Sequence, residues 1–478
     1  NNILGWAVFG IALVTYLSTI EHKFSFWDTG EYISSAVKLE VTHAPGAALF
    51  QLVGAVAAIL SFGNEAYYSL IINAMSALFS AFTILFLFWT ITHLVRRILN
   101  KEMEELSPAE MISVLFSGVI GSLAFTFSDT FWYSAVEGEV YSMASMFIAL
   151  VVWLITKWEN EYHDSDSQRW IILIFFIVGL SVGVHMMVML AVPAVCFIYY
   201  ARNYKFTWKN FIIANFITLG VLAFVFKGIF PIVMRLFGKS EIFFVNSIGL
   251  PFHSGTIIAF MILVAFCYYI IRYTRKTKNN LYQTAALSVV YMIIGFSCWM
   301  MIPIRANANP PMNLNNPDTA IGMLDYYNRE QYGDWPTIYG QNYTAHLDAH
   351  GIERNEDGGY KTIKTGDVYE KNEETGKYEK IDERTSYVYN KEHVSFLPRM
   401  YNSDKTVMNN YVSMYGAPDF EFNYSNEKVV DNPHAKEAFE QLKAKYEDGN
   451  ITAEDYLKVK SYDLIKIKKP SLAQNLHY

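Results

Sequence analysis

The run Tyr68-Ser-Leu-Ile-Ile-Asn-Ala-Met-Ser-Ala-Leu-Phe-Ser-Ala-Phe-Thr-Ile-Leu-Phe-Leu-Phe-Trp-Thr-Ile-Thr-His-Leu-Val95 holds no aspartate, glutamate, lysine or arginine, and Arg96-Arg97 closes it. It exceeds the about 20 apolar residues that a helix needs to cross a bilayer, and its basic end predicts a cytoplasmic loop. The same pattern recurs along the first two thirds of the chain. Nine crossings are expected, at 2–20, 68–95, 110–127, 139–156, 170–185, 187–200, 210–231, 254–272 and 282–303. The stretch 46–62 is apolar but short, rich in alanine and glycine, and bounded by Pro45-Gly46 and Gly63-Asn64, so it is expected to lie on the membrane surface. This choice puts Arg96-Arg97 with Lys101, Lys157 with Arg169, Arg202 with Lys205 and Lys209, and Arg272 with Arg275, Lys276 and Lys278 on one side. Counting 46–62 as a crossing would send Arg96-Arg97 outside and break the pattern.

Composition agrees. Of 478 residues 52% are hydrophobic, with 34 Phe and 33 Tyr, too apolar for a soluble chain of this length unless much of its surface meets lipid. The apolar runs end near residue 304, and 305–478 is polar and rich in Asn, Tyr, Lys and Glu. Two parts are expected: a transmembrane module over 1–304 and a polar α+β region over 305–478, continuing in a longer native chain that does not begin at Asn1. In the second part, 350–384 reads as hairpins or a mobile loop, and 432–460 as a helix pair broken at Gly449-Asn450. A net charge of -7 gives no nucleic-acid surface. Cys196, Cys267 and Cys298 fall in apolar spans, so they supply no disulfide framework.

On the face opposite the basic loops, polar residues gather where helices leave the hydrocarbon. The first span breaks into Phe26-Trp-Asp-Thr-Gly-Glu-Tyr32, and carboxylates at that depth are costly unless hydrated, paired or used. If Thr29 caps the next helix, Asp28 lies at its mouth and Glu31 in its first turn. A helix start accounts for Glu31 by itself, and for Asp28 less well. Thr42-His-Ala-Pro-Gly46 follows, with His43 either a turn residue or a ligand of protons and phosphate. A second acidic stretch runs from Asp129 to Tyr141. There Glu137 and Tyr141 are one helical turn apart, while Glu139 points elsewhere. His185 interrupts Gly183-Val-His-Met-Met187, and Lys227 sits in Ala223-Phe-Val-Phe-Lys-Gly-Ile-Phe230. Helix packing and snorkelling account for these two as readily as function does. With Arg235 and Arg305 they form a set of cations able to hold a phosphate. No His, Cys and carboxylate cluster has metal-ligand spacing, and neither a P-loop nor a dinucleotide fingerprint is present.

In content and order these features resemble the GT-C superfamily of polyprenol-dependent glycosyltransferases. More narrowly, Trp27-Asp-Thr-Gly-Glu31, His43-Ala-Pro-Gly46, Glu139-Val-Tyr141, Gly183-Val-His185, Ile304-Arg-Ala-Asn-Ala-Asn-Pro-Pro311 and Tyr327-Asn-Arg-Glu-Gln-Tyr-Gly-Asp334 resemble a large Bacteroidetes membrane-protein family. That family is related to a vertebrate endoplasmic-reticulum protein O-mannosyltransferase. The usual His-Pro-Pro-Gly is His43-Ala-Pro-Gly46 here, and members usually extend further, with more spans and a periplasmic repeat domain. The resemblance implies a GT-C-like polytopic α-helical membrane protein of about nine transmembrane helices plus juxtamembrane helices, with a C-terminal periplasmic α+β segment. It implies an inverting transfer of a sugar, mannose favoured, from a polyprenyl phosphate to Ser/Thr hydroxyls of exported proteins, at the periplasmic face of a bacterial inner membrane. In that reading Asp28 is the base, with Glu31 beside it. Glu137, Glu139 and Tyr141 bind sugar or acceptor, and His43, His185, Lys227 and Arg305 hold the donor phosphate. Side chains suffice to neutralise a monophosphate, so no metal or other cofactor is expected to be obligatory. The partners are the lipid-linked donor, the exported protein acceptor and membrane lipid, with no nucleic acid. A lipid-linked sugar flippase, with His185 and Lys227 along its pathway, and a non-catalytic scaffold subunit of an envelope complex remain as alternatives.

Overall fold

The computed structural model describes the chain except for residues 165, 334, 337, 399–400, 416, 424–431, 461 and 470–478. Two compact units divide it, Asn1–Gln331 and Tyr332–Tyr478. Residues 305–331, expected with the polar region, pack within the first unit.

The first unit is an α-helical membrane bundle. Its helices are α1 (Asn2–Ser18), α2 (Thr29–Lys38), α3 (Ala48–Ala58), α4 (Tyr68–Leu99), α5 (Pro108–Thr126), α6 (Asp129–Ala135), α7 (Val140–Asn160), α8 (Gln168–Ser181), α9 (Val192–Asn203), α10 (Trp208–Ala223), α11 (Phe230–Ile242), α12 (Ser254–Thr277), α13 (Asn280–Phe296), α14 (Met301–Asn307) and α15 (Ala320–Asn328). Among the described residues seven helical runs are long and apolar enough to cross a membrane: Glu65–Leu99, Pro108–Thr126, Val140–Asn160, Met186–Asn203, Trp208–Ser247, Ser254–Thr277 and Asn280–Asn307. The expected crossings 2–20 and 170–185 are the shorter apolar helices α1 and α8, and 46–62 is the equally short run Ala48–Ser61. The span expected over 210–231 continues to Ser247, because π-helical turns at Phe224–Ile229 and Phe243–Ser247 carry it past Lys227 and Arg235.

Local chemistry sets the helix ends and their packing. Ser107 and Glu110 form a capping box with Pro108 in the first turn of α5. Helices α8 and α13 touch through Gly179 and Gly295, where an added Cβ would stand 2.0 Å from the Met292 carbonyl and 2.3 Å from that of Phe176. Backbones approach this closely only over small residues, the usual device of helix pairs in lipid. Buried Glu241 on α11 accepts hydrogen bonds from the backbone of His253 and Thr256 and so holds the start of α12. The apolar window of α12 is only 11% buried, so its side chains face outward as on a lipid-exposed helix. The largest core joins α2, α3, α7, α8, α13 and α15 through Tyr32, Phe50, Met143, Ile177, Met292 and Tyr326.

The second unit carries the α+β character. Strands β1 (Tyr339–Gln341) and β4 (Val394–Phe396), β2 (Thr362–Asn372) and β3 (Lys377–Tyr387), and β5 (Phe420–Phe422) and β6 (Ile465–Ile467) form three antiparallel pairs. β2 and β3 make one long hairpin turning at Gly376, where φ is 64° and glycine is favoured. Helices Pro433–Glu447 and Ala453–Lys460 flank the break at Gly449-Asn450. Tyr343, Leu347, Met408, Leu442, Tyr456 and Ile465 fill this unit's own core.

Candidate active site

The site is built on the start of α2. Trp27 adopts φ 62°, a left-handed conformation rare for an L residue, and the chain turns there into the helix. The sequence reading made Thr29 the cap; the structure makes Asp28 the N-cap and Thr29 the first helical residue. The reason is a competing partner, since the Thr29 hydroxyl donates to the Phe26 carbonyl. The Asp28 side chain makes no capping hydrogen bond and is 56% exposed. A carboxylate at a helix start that leaves the backbone donors alone is available for other work.

Two contacts fix this loop against the bundle. Buried Asn73 on α4 donates to the carbonyls of Glu21 and Lys23 at 2.6 and 3.0 Å. The Ser25 hydroxyl donates to Glu137 and lies 3.2 Å from the Thr29 hydroxyl. Glu137 therefore ties the second acidic stretch to the first.

His43 is folded back onto α2. The turn closes with Gly46 donating to the His43 carbonyl at 2.8 Å; Gly46 has φ 77°, and a Cβ there would sit 2.7 Å from the Tyr326 hydroxyl. That hydroxyl, from α15, donates to the carbonyls of Thr42 and His43 at 2.5 and 3.2 Å. One oxygen of Glu31, Oε1, then accepts from both the His43 backbone at 2.7 Å and Nδ1 of its ring at 3.0 Å. Nε2 is left facing Oδ2 of Asp28 across 3.9 Å. The Glu31 hydrogen bond raises the His43 pKa against burial; the charges of Glu31 and Asp28 add to the rise and Arg329 opposes it. Burial favours the neutral form of Glu31, but the hydrogen bonds and charge of His43 outweigh it and lower its pKa.

Glu139 closes one side. It is the N-cap of α7, accepts from the Val140 backbone at 3.2 Å, and is 6% exposed. Burial, reinforced by the charges of Asp28 and Glu137, pushes its pKa up to about 7. One helical position into α7, Tyr141 packs its ring 5.4 Å from that of His185. Nδ1 of His185 accepts from the Met187 backbone at 3.1 Å, which leaves the proton on Nε2. Burial first, and then Arg329, lower the His185 pKa, so it presents a neutral donor rather than a charge. The ring of buried Tyr32 stands 5.7 Å from His43 on the inner side.

The structure thus groups Asp28, Glu31, His43, Glu137, Glu139, Tyr141 and His185. It sets Arg305 apart: that guanidinium donates to the carbonyls of Leu39 and Lys38 at 2.6 and 3.3 Å, at the C-terminal end of α2. Ten residues of helix separate it from Asp28, about 15 Å along the axis. Lys227 lies 5.5 Å from the Phe226 ring and borders an apolar cavity of about 540 Å³ with Met186, Met187 and Leu222. Arg235, on α11, sits near Tyr327.

The spacing argument against a metal-type cluster does not hold in three dimensions. Ligand atoms of Asp28, Glu31 and His43 lie within 4.8 Å of one another, because the chain reverses after α2, where Leu39 is left-handed at φ 51°, and brings His43 back against Glu31, twelve residues earlier in sequence. Sequence reasoning also missed the roles of Asn73, Tyr326 and Arg329. Only Tyr327-Asn-Arg-Glu-Gln-Tyr-Gly-Asp334, quoted for its resemblance, pointed to the α15 end, and Asp334 lies outside the described residues.

Residues 28–208 match the family described as the protein O-mannosyl-transferase TMEM260 N-terminal domain, beginning on Asp28 itself. The chain is related to the TMEM260 protein O-mannosyltransferases. The mouse protein of that name is 28% identical over 176 residues, 37% of this chain and 22% of its own length. The Dictyostelium discoideum protein is 25% identical over 215 residues, 43% of this chain and 24% of its own length. The matched stretch therefore spans less than a quarter of these curated relatives. Residues 333–478 match a family of unknown function (DUF8416), and no solved structure matches. The TMEM260-like stretch contains Asp28, Glu31, His43, Glu137, Glu139, Tyr141 and His185, and leaves out Lys227, Arg305, Tyr326 and Arg329.

Proposed function

We propose that this chain is an inverting glycosyltransferase that moves a sugar, mannose favoured, from a polyprenyl phosphate to Ser/Thr hydroxyls of exported proteins at the periplasmic face of a bacterial inner membrane. The observation that carries this reading is Asp28: a half-exposed carboxylate, freed from capping, facing a histidine across 3.9 Å at the start of a stretch related to O-mannosyltransferases. The acceptor oxygen bonds to the anomeric carbon as its proton passes to the Asp28 carboxylate. The bond from that carbon to phosphate oxygen breaks, and its electron pair leaves with the polyprenyl phosphate. Arg329, whose charge opposes protonation of both histidines, supplies positive charge beside the reacting groups. Glu137, Glu139 and Tyr141 line the sugar and acceptor side, and the apolar cavity bordered by Lys227 suits the lipid chain.

Asp28→Asn keeps the shape and removes the base. Transfer from a mannosyl-phosphoprenol to a Thr-containing peptide, measured on the purified chain, should fall by about two to four orders of magnitude with the melting temperature preserved. Near-parental turnover in the variant would reject Asp28 as base, and a parent chain inert with this donor would favour the scaffold reading.

A further inference from the structure

The Asp28–His43 gap has a geometry that discriminates between substrate atoms. An oxygen placed about 2.8 Å from both Oδ2 of Asp28 and Nε2 of His43 fits between atoms 3.9 Å apart, with hydrogen bonds of ordinary length on each side. Such an oxygen must donate a proton to the carboxylate and accept one from the ring. An alcohol does both. A phosphate oxygen has no proton to give at neutral pH, and Asp28 would repel it.

The ring is set up for the donor role. With Nδ1–H donated to Glu31, Nε2 carries a proton toward the gap only in the charged imidazolium, the form that the Glu31 carboxylate favours, and the second bond from the His43 backbone to the same Glu31 oxygen keeps ring and helix in register. Tyr326 holds the carbonyl side of the same residue, so His43 is gripped from two elements.

We propose that His43 belongs to the acceptor subsite rather than the donor-phosphate site: its Nε2–H holds the oxygen of the incoming hydroxyl while Asp28 takes the proton, and Glu31 is the positioning residue that keeps the ring in that state. This rests on the glycosyl-transfer reading above. The new oxygen–carbon bond draws on the electron pair left when the O–H proton moves to Asp28, and His43 keeps its own proton throughout. The charged and titratable groups facing the ring are Glu31 and Asp28 from α2, Tyr32 behind it, Glu139 from the start of α7 and Arg329 from the end of α15. The donor state is present below the raised pKa of His43 and is lost as pH rises through it, so it sets the alkaline limb of activity.

The test compares the purified full chain with His43→Leu, His43→Gln and Glu31→Gln, using mannosyl-phosphoprenol and a single-Thr peptide. Both KM values, kcat and the pH profile are measured. Glutamine keeps an N–H donor but cannot act as a base. His43→Leu should lower kcat/KM for the peptide about ten- to a hundredfold while leaving the donor KM within about twofold. His43→Gln should recover most of that loss, and Glu31→Gln should move the alkaline limb to lower pH. A rise in the donor KM with the peptide term unmoved would return His43 to the phosphate. A His43→Gln variant as impaired as His43→Leu would make the histidine a base and overturn the donor role. Loss of parental activity in EDTA with recovery on adding Mn²⁺ would make Asp28, Glu31 and His43 a cation site and also overturn it. A parent inert with this donor removes the transfer reading, and the inference with it.

Discussion

Asp28 and Glu31 lie three residues apart, and the structure gives them opposite situations. Glu31 is 22% exposed and committed to His43, while Asp28 is half exposed and uncommitted. A helix-start argument accounts for Glu31 and less well for Asp28, so the sequence singles out Asp28, but it holds no sign that Glu31 is taken up by His43. Glu139 is a third case. It stands just outside the α7 span, and its pKa is raised from 4.5 to about 7, so the folded state holds a proton that the unfolded state releases. The sign follows. Its contribution is full below the unfolded pKa and is lost as pH rises through the folded one, so stability should decline between about pH 4.5 and 7. Glu139→Gln, fixed in the neutral form, should flatten that decline, as read by melting temperature across the same range in detergent. An unchanged slope would mean that Glu139 is ionised in the folded chain throughout.

At the scale of elements, α2 is held at both ends by residues distant in sequence. Arg305 donates to the carbonyls at its C-terminal end, where a helix leaves acceptors unsatisfied and favours a cation. Arg305→Ala should therefore cost about 1–2 kcal/mol of stability, seen as a lower melting temperature, and leave the donor KM unchanged. A donor KM that rises severalfold with no change in melting would instead make Arg305 a phosphate ligand. Elements of this kind were legible in proportion to their uniformity. The stretch 68–95 reads directly as a span because nothing charged interrupts it. The run Trp208–Ser247 was cut short at 231 because lysine, arginine and proline interrupt its apolarity, and π-helical turns that carry a helix onward leave no hydropathy signal. Asp28, Glu31 and the His43 turn were legible because their signals are local. Asn73 and Arg329 were not: an asparagine in an apolar span and an arginine after a tyrosine pair acquire meaning only from what the fold lays beside them.

For the whole molecule, the basic loops and the acidic cluster lie at opposite ends of the long helices. Helix α4 shows this directly, with Asn73 gripping the first loop and Arg96-Arg97 at its other end. If the acidic end faces the periplasm, a cysteine at Gly63 should react with an impermeant maleimide added to intact cells and one at Lys276 should not, after Cys196, Cys267 and Cys298 are replaced. The reverse labelling would discard the proposed orientation and the site's placement together.

The Tyr326 clasp on Thr42 and His43 spans 284 and 283 positions of sequence. A ribosome makes the acidic loop and its histidine early and the tyrosine much later. During the interval the growing polypeptide already carries Asp28, Glu31 and His43, but the hydroxyl that pins the His43 backbone does not yet exist. The arrangement of the loop is therefore completed late in biosynthesis, when α15 emerges and docks, and a chain stalled before residue 326 carries Asp28, Glu31 and His43 without the Tyr326 clasp on the last of them.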